Sequence, residues 1–584
     1  MKKAVALSFI LGLVACQSGD KTSPSAVVQT PQGPVQGEVS QAGITNFKGL
    51  PFAAPPIDDL RWRPPAPARV WVETRRATTF SPMCMQNTQS GADGFLNRII
   101  DGNGLSGIKN ALVKRIAASL PTSQTSEDCL YLNVRTPSIA PETSKPVMVW
   151  IHGGGHQFGS GDFSYYQGDT IPEHGIVLVT INYRLGVFGY LAHPALSEDD
   201  PRGVSGNYGT LDQIAALEWV KDNIQAYGGD PNNVTIFGES AGAWSVTELM
   251  ASPLAKGLFH KAIGQSGSSI YHLGQMQGDG VGWVSGYETA RKLDEALGLD
   301  NPSAQDLRAL DAQSLINIVT EDISDGFHHN RDGVVFPDNV GLAFTKGSYN
   351  KVPTIFGYNA DEGSLFYPTD QEPTVWMEDF PKDGTRSEQI AALSEHYPQN
   401  AEMLIDLYEL DGDAATTFEG GMAMMGDEIF GANIRLTTEI NRDAGQDAWA
   451  YTFNRIPPSD RQTIGAYHGA EIPFVFNTHE PILGLSDEDK VLTDVMVDYW
   501  TNFAKTGNPN GQNLLSWPEY ENGNWMAFNA NINRESQVVK DHRGMKLKAL
   551  TEGVTKKLND LEQWQANHVA HHQIAPQTGA SGSQ

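Results

Sequence analysis

Six apolar runs recur through the middle of the chain: Pro146–Ile151, Ile176–Tyr183, Val234–Phe237, Ala262–Gln265, Pro353–Gly357 and Ala448–Phe453. Several lack the polar alternation of a sheet with one wet face, which is the pattern of strands covered by helices on both sides. Helical stretches such as Leu211–Ala226 and Asp487–Lys505 fall between them. The alternation predicts an α/β fold with one central, mostly parallel, twisted sheet. No period of 20 to 50 residues recurs, and no low-complexity linker interrupts residues 35–540. A single large domain over 35–544 follows, then a helix with a polar face over 545–572 and a loose tail over 573–584.

Charge removes one class of function. The 41 Lys and Arg against 69 Asp and Glu give a net charge of −28, and duplex binding needs a basic surface. With 40% hydrophobic and 19% charged residues, the chain is globular rather than disordered or fibrous.

At the amino terminus, Lys2 and Lys3 precede the apolar run Ala4–Ala15, which is too short for a permanent membrane span and suits a secretory signal over 1–15. The run ends Leu13-Val14-Ala15-Cys16, which resembles a bacterial lipoprotein processing box. That resemblance implies acylation of Cys16 as the first mature residue, and Gln17 after it implies outer-membrane sorting, facing the periplasm or the cell exterior. An ordinary signal peptide is the alternative. Residues 16–34 are rich in Ser, Thr, Pro, Gln and Gly and read as a flexible tether. With Cys16 assigned to lipid, Cys84 and Cys129 remain, an even pair in a compartment that permits disulfides. We expect them to bond, closing a loop whose entropy is worth about 4 kcal/mol; two buried thiols are the alternative.

The chemistry centres on Gly238-Glu239-Ser240-Ala241-Gly242, a G-x-S-x-G pattern led in by the apolar run Val234–Phe237 and followed by a helical stretch. That context turns the chain sharply enough to hold a serine hydroxyl clear of the backbone. Upstream, His152-Gly153-Gly154-Gly155 follows the strand ending at Ile151, and consecutive glycines let backbone N–H groups point at a bound oxygen. Its spacing fits neither a dinucleotide-binding loop nor a P-loop.

Together with Gly49–Pro56, Leu60–Pro65, Ser126–Val134, Asn182-Tyr183-Arg184 and Gly206–Gln213, these segments make the chain resemble the type-B carboxylesterase and cholinesterase family of α/β-hydrolases. The resemblance implies a gorge formed by long loops and a Ser–acid–His triad in the chain order of that fold. Ser240 is then the nucleophile. The acid is Glu362, in Asn359-Ala360-Asp361-Glu362-Gly363, with the adjacent Asp361 as its rival. The base is His468, in Tyr467-His468-Gly469-Ala470-Glu471-Ile472. The N–H groups of Gly154, Gly155 and Ala241 would form the oxyanion hole, and the reaction needs no metal or organic cofactor.

By the same resemblance, Glu239, Phe327, Leu365 and Phe366 line the substrate site, while Arg61 with Glu127 and Arg184 with Asp212 form internal salt bridges. No Trp lies between Cys84 and Cys129, which disfavours quaternary ammonium substrates. The stretch Ile323–His328 is more polar than a double-aromatic wall, and Phe95, Leu96, Ile99 and Ile100 in the disulfide loop would either cap the entrance or simply pack the loop. The expected activity is hydrolysis of uncharged carboxylic esters through an acyl-enzyme, by a monomer or weak homodimer. The alternatives are the same machinery on an amide, carbamate, toxin or plasticiser ester, and a non-catalytic binding protein.

Overall fold

The structure is a computed structural model that describes residues 23–88 and most of 92–572. Outside the described residues lie 1–22, 89–91, 103, 105–106, 108–109, 112, 115–123, 271–273, 276–284, 323–325, 367–379, 382–383, 457–461, 480–484, 522, 530–537, 541 and 573–584. The predicted signal, Cys16, Ile323–Asp325 and the tail all fall there, as do the side chains of Phe95 and Leu96.

Twelve strands run in one path: β1 (Ser23–Thr30), β2 (Gly33–Val39), β3 (Thr45–Pro51), β4 (Tyr131–Thr136), β5 (Lys145–Ile151), β6 (Val177–Ile181), β7 (Gly229–Glu239), β8 (Lys261–Gln265), β9 (Thr354–Asn359), β10 (Ala448–Phe453), β11 (Trp525–Phe528) and β12 (Val538–Val539). Their spatial order is β1-β2-β3-β4-β6-β5-β7-β8-β9-β10-β11-β12. From β6 to β11 every neighbouring pair is parallel, whereas the pairs at the two ends are antiparallel. All six apolar runs of the sequence lie in this parallel centre.

The reason for those continuous runs is visible in the packing. Successive strand side chains point to opposite faces. Val147, Val149 and Ile151 enter one core, while Met148 and Trp150 enter the other. Helices α2 (Tyr208–Asn223) and α3 (Ala241–Ala251) cover the first face through Leu217, Val246 and Leu249. A later helix, α4 (Asp487–Thr506), covers the second through Met496, Trp500 and Phe503. With both faces dry, no strand position needs a polar side chain.

Two boundaries differ from the sequence reading. The stretch assigned to a tether over 16–34 contains β1, which pairs antiparallel with β2 and buries Val28. An edge strand with one exposed side holds its place by backbone hydrogen bonds and needs few apolar residues, so its polar composition hid it. The terminal helix α5 (Gly544–His572) is no appendage, since Leu547, Leu550, Leu558 and Leu561 belong to the first core.

Cys84 and Cys129 are bonded, with Cα atoms 5.0 Å apart. Within the loop they close, α1 (Ala92–Gly102) approaches the turn Glu362–Leu365, and Arg98 donates to the Leu365 carbonyl at 2.8 Å. Ile100 is buried and Ile99 packs against the second core, so these two side chains anchor the loop. Both predicted salt bridges form, and both are bidentate: Arg61 with Glu127 at 2.6 and 2.5 Å, Arg184 with Asp212 at 2.7 Å twice.

Candidate active site

Ser240 joins β7 to α3 at φ +57° and ψ −125°, a conformation that L residues rarely adopt. The flanking glycines make that turn possible. A Cβ on Gly238 would stand 2.6 Å from the Gly242 carbonyl carbon, and one on Gly242 only 2.0 Å from the Ile151 oxygen. The turn is held from below by the Ser240 N–H, which donates to the Gln265 carbonyl at 2.8 Å. Ser240 is partly exposed, whereas Glu239 and Ala241 beside it are buried. Strain is stored at this one serine, the only partly exposed residue of the three.

The glycine loop lies directly against this turn. A Cβ on Gly153 would come within 2.7 Å of the Glu239 carbonyl oxygen and 3.0 Å of the Ser240 Cβ. Gly154 and Gly155 have φ of +102° and +61°. No atom stands within 4 Å of a Cβ built on Gly155, so its glycine is demanded by backbone conformation and the space beside it is open. Ala241 is the first residue of α3, and its N–H has no carbonyl inside the helix to bond.

His468 follows the turn at Gly465, and its Nδ1 lies 2.5 Å from Glu362 Oε2. Glu362 is itself fixed, because its Oε1 accepts the Asn359 N–H at 2.7 Å. The rival Asp361 is directed elsewhere: its Oδ2 accepts the Ala466 N–H at 2.7 Å and so braces the histidine loop. The opposite nitrogen of His468, Nε2, faces the nucleophile turn, with Glu239 Oε1 3.2 Å away. Phe366 and Phe430 flank the imidazole, each with ring centroids 4.9 Å from it.

The electrostatics are those of a buried acidic pocket around one imidazole. Burial alone would depress the His468 pKa, but the carboxylates of Glu239 and Glu362 outweigh it and raise it to about 9. Burial raises Glu239 to about 8, with His468 pulling the other way.

The remaining predicted site residues are distributed unevenly. Phe366 reaches His468, whereas Leu365 is buried in the second core. Phe327 is buried in the first core, and its carbonyl accepts from Gln157 Nε2 at 2.9 Å, which ties it to the chain just after the glycine loop. A network not anticipated from the sequence backs the pair. Glu471, fully buried, accepts from Asn359 Nδ2 at 2.6 Å and Gln265 Nε2 at 3.1 Å, and Trp500 Nε1 donates to Gln265 Oε1 at 3.0 Å. Asn359 Nδ2 also donates to the Tyr467 carbonyl at 2.7 Å. The Asn and Glu of the two matched segments were the available signal, but nothing in their spacing pairs them.

Strained serine turns at the carboxyl end of a central strand, with histidine and acid supplied by later loops, mark the α/β-hydrolases, and this chain has that fold. Within that class it belongs to the carboxylesterase family, whose model matches residues 24–548. Fumonisin B1 esterase of Sphingopyxis macrogoltabida is 36% identical over 551 residues, 91% of each chain. Mouse carboxylesterase 1E is 34% identical over 540 residues, 86% of this chain and 90% of its own. Among solved structures, the Geobacillus stearothermophilus carboxylesterase EST55 superposes with a TM-score of 0.73 at 31% identity, covering 90% of this chain and all of that one. The protein is accordingly a serine carboxylesterase, a hydrolase of carboxylic esters.

Proposed function

We propose that Ser240 attacks the acyl carbon of an uncharged carboxylic ester, with His468 as general base and Glu362 as the acid that holds its imidazole. The observation that carries this reading is the Glu362–His468 pair, whose other ring nitrogen, Nε2, lies on the side of the Ser240 turn beside Glu239. A serine hydroxyl is a poor nucleophile until a base removes its proton. His468 Nε2 takes that proton as the bond to the acyl carbon forms, and Glu362 stabilises the imidazolium. The N–H groups of Gly154, Gly155 and Ala241 receive the oxyanion. His468 then gives the proton to the departing alcohol, and water repeats the sequence on the acyl-enzyme. The aromatic rings of Phe366 and Phe430 beside His468 support an uncharged substrate.

A p-nitrophenyl ester series from acetate to dodecanoate tests the substrate class, with highest kcat/KM expected at short or medium chain length. A folded protein inactive on every ester and unlabelled by a fluorophosphonate would instead support a binding protein.

The acidic pocket gives a pH prediction. His468 must be neutral to act, so activity is present above its pKa and lost below it. With that pKa raised by two carboxylates, the acid limb of kcat/KM lies above the ordinary histidine range of about 6–7. In Glu239→Gln the negative charge beside Nε2 is gone, the imidazolium is less stable, and the limb moves down by about one pH unit or more. An unchanged limb would remove Glu239 from the titration of His468.

We further infer that the protein is exported as a monomer or weak homodimer and anchored through lipid on Cys16 at the outer membrane. The run Leu13–Cys16 with Gln17 supports this, as does the Cys84–Cys129 disulfide, which needs an oxidising compartment. No helix of the described residues is long and apolar enough to cross a membrane. Cys16→Ser is expected to move the full chain from the detergent phase to the aqueous phase in Triton X-114 partition. Retention in detergent would overturn the anchor.

A further inference from the structure

A second cluster of chemically capable side chains lies outside the Ser240–His468–Glu362 set and takes no part in the proposed reaction. His156, Glu248 and His329 are all buried, and one ligand atom from each lies within 4.8 Å of the others. Three separate parts of the chain supply them. His156 follows directly on Gly155 at φ +59°, Glu248 lies on α3 eight positions beyond Ser240, and His329 stands two residues past Phe327.

The apolar surroundings make the cluster costly as it stands. The rings of Tyr183, Tyr190 and Trp244 pack about His156, and Tyr190 and Phe336 about His329. Among the described residues, no lysine or arginine pairs with Glu248. A carboxylate buried without a cation is strongly unfavourable. His329 Nε2 and Glu248 Oε2 stand 2.8 Å apart, yet neither atom has a partner in hydrogen-bond alignment. A nitrogen and an oxygen with no other hydrogen-bond partner therefore face each other among buried aromatic rings.

The outer atoms of the same side chains are, by contrast, well held. Glu248 Oε1 accepts the Ser269 hydroxyl at 2.7 Å. His156 Nε2 meets Ser245 Oγ at 2.9 Å, and Ser245 Oγ also accepts from Gln213 Nε2 at 2.9 Å. Outer partners of this kind are what orient imidazole and carboxylate ligands around a metal.

We propose that His156, Glu248 and His329 bind one divalent cation of the Zn2+ type. Two imidazoles and one carboxylate suit Zn2+, whereas Ca2+ and Mg2+ take all-oxygen sets. The ion would compensate the Glu248 charge and tie three segments together: the glycine loop, the helix that follows the nucleophile, and the strand-like stretch beyond Phe327. It contacts none of the reacting groups, so its role is to fix the loop rather than to polarise substrate, and its presence is measurable whether or not Ser240 is the nucleophile.

The test is metal content and spectroscopy on the purified full chain. Protein expressed with zinc and dialysed against a weak chelator is expected to retain about one Zn2+ per chain. Exchange for Co2+ is expected to give the visible absorption of a low-coordinate nitrogen–oxygen site. His329→Gln, judged folded by circular dichroism, is expected to bind Zn2+ at least about 100-fold more weakly, because a ligand is lost rather than an outer partner. Wild-type protein that holds no stoichiometric Zn2+ and shows no Co2+ band overturns the proposal, with no variant needed. Equal Zn2+ retention by folded His329→Gln also overturns it, since the ion would then sit on the acidic surface.

Discussion

Ser240→Ala is expected to lower kcat for p-nitrophenyl butyrate by about 10⁶ while the chain stays folded. The size of the loss follows from where the residue stands. The turn at φ +57° exists to carry one hydroxyl, and neither Glu239 nor Ala241 offers a nucleophile in its place. Alanine accepts the same backbone as serine does, so the Gly238 and Gly242 contacts and the Ser240 N–H bond to Gln265 survive, and circular dichroism and thermal midpoint should change little. The glycine loop also survives, so a residual rate of about 10³–10⁴ over the uncatalysed reaction should remain from oxyanion binding and substrate positioning. Labelling by a fluorophosphonate should vanish with the activity. A folded variant that keeps more than about 1% of the rate would place the nucleophile elsewhere and leave the strained turn without a purpose.

How much of this was legible in the sequence depends on the distance over which each feature is held. The parallel centre of the sheet was legible because both faces are covered, which writes unbroken apolar runs such as Val147–Ile151 into the chain. The nucleophile turn was legible because strand, glycines and helix are consecutive residues. β1 was not, since an edge strand rests on backbone pairing with β2 and buries a single hydrophobic residue, Val28, beside the polar Ser25. The choice between Asp361 and Glu362 was likewise beyond any local rule. The two carboxylates are adjacent, and what separates them is that Ala466 N–H claims one while Asn359 N–H aligns the other with His468. The support beneath the pair spans still longer separations: Gln265 to Glu471 across 206 residues and Gln265 to Trp500 across 235. Arg543, at the start of the terminal helix, even reaches the Ala360 carbonyl at 2.6 Å, two residues before the acid. No spacing rule connects positions that far apart.

That division between the two acids gives the second large prediction. Glu362→Gln is expected to lower kcat by about 10⁴ with little change in KM. The variant keeps the size of the side chain, and its amide oxygen can still accept the Asn359 N–H that now bonds Oε1 at 2.7 Å. That leaves the amide NH₂ facing His468 Nδ1, where Oε2 now sits 2.5 Å away. An NH₂ group can only donate, so Nδ1 must become the acceptor and the ring proton moves to Nε2. The nitrogen facing Ser240 then carries a proton and has no lone pair left to accept the serine's. Binding of the ester is untouched by this change, which is why the loss falls on kcat. Asp361→Asn serves as the contrast, because that carboxylate accepts from the Ala466 N–H and an amide oxygen can do the same, so its effect should stay within about tenfold. If Glu362→Gln kept wild-type activity and Asp361→Asn lost it, the acid would be Asp361 and the alignment of His468 would have to be re-derived from the Gly465 turn that it braces.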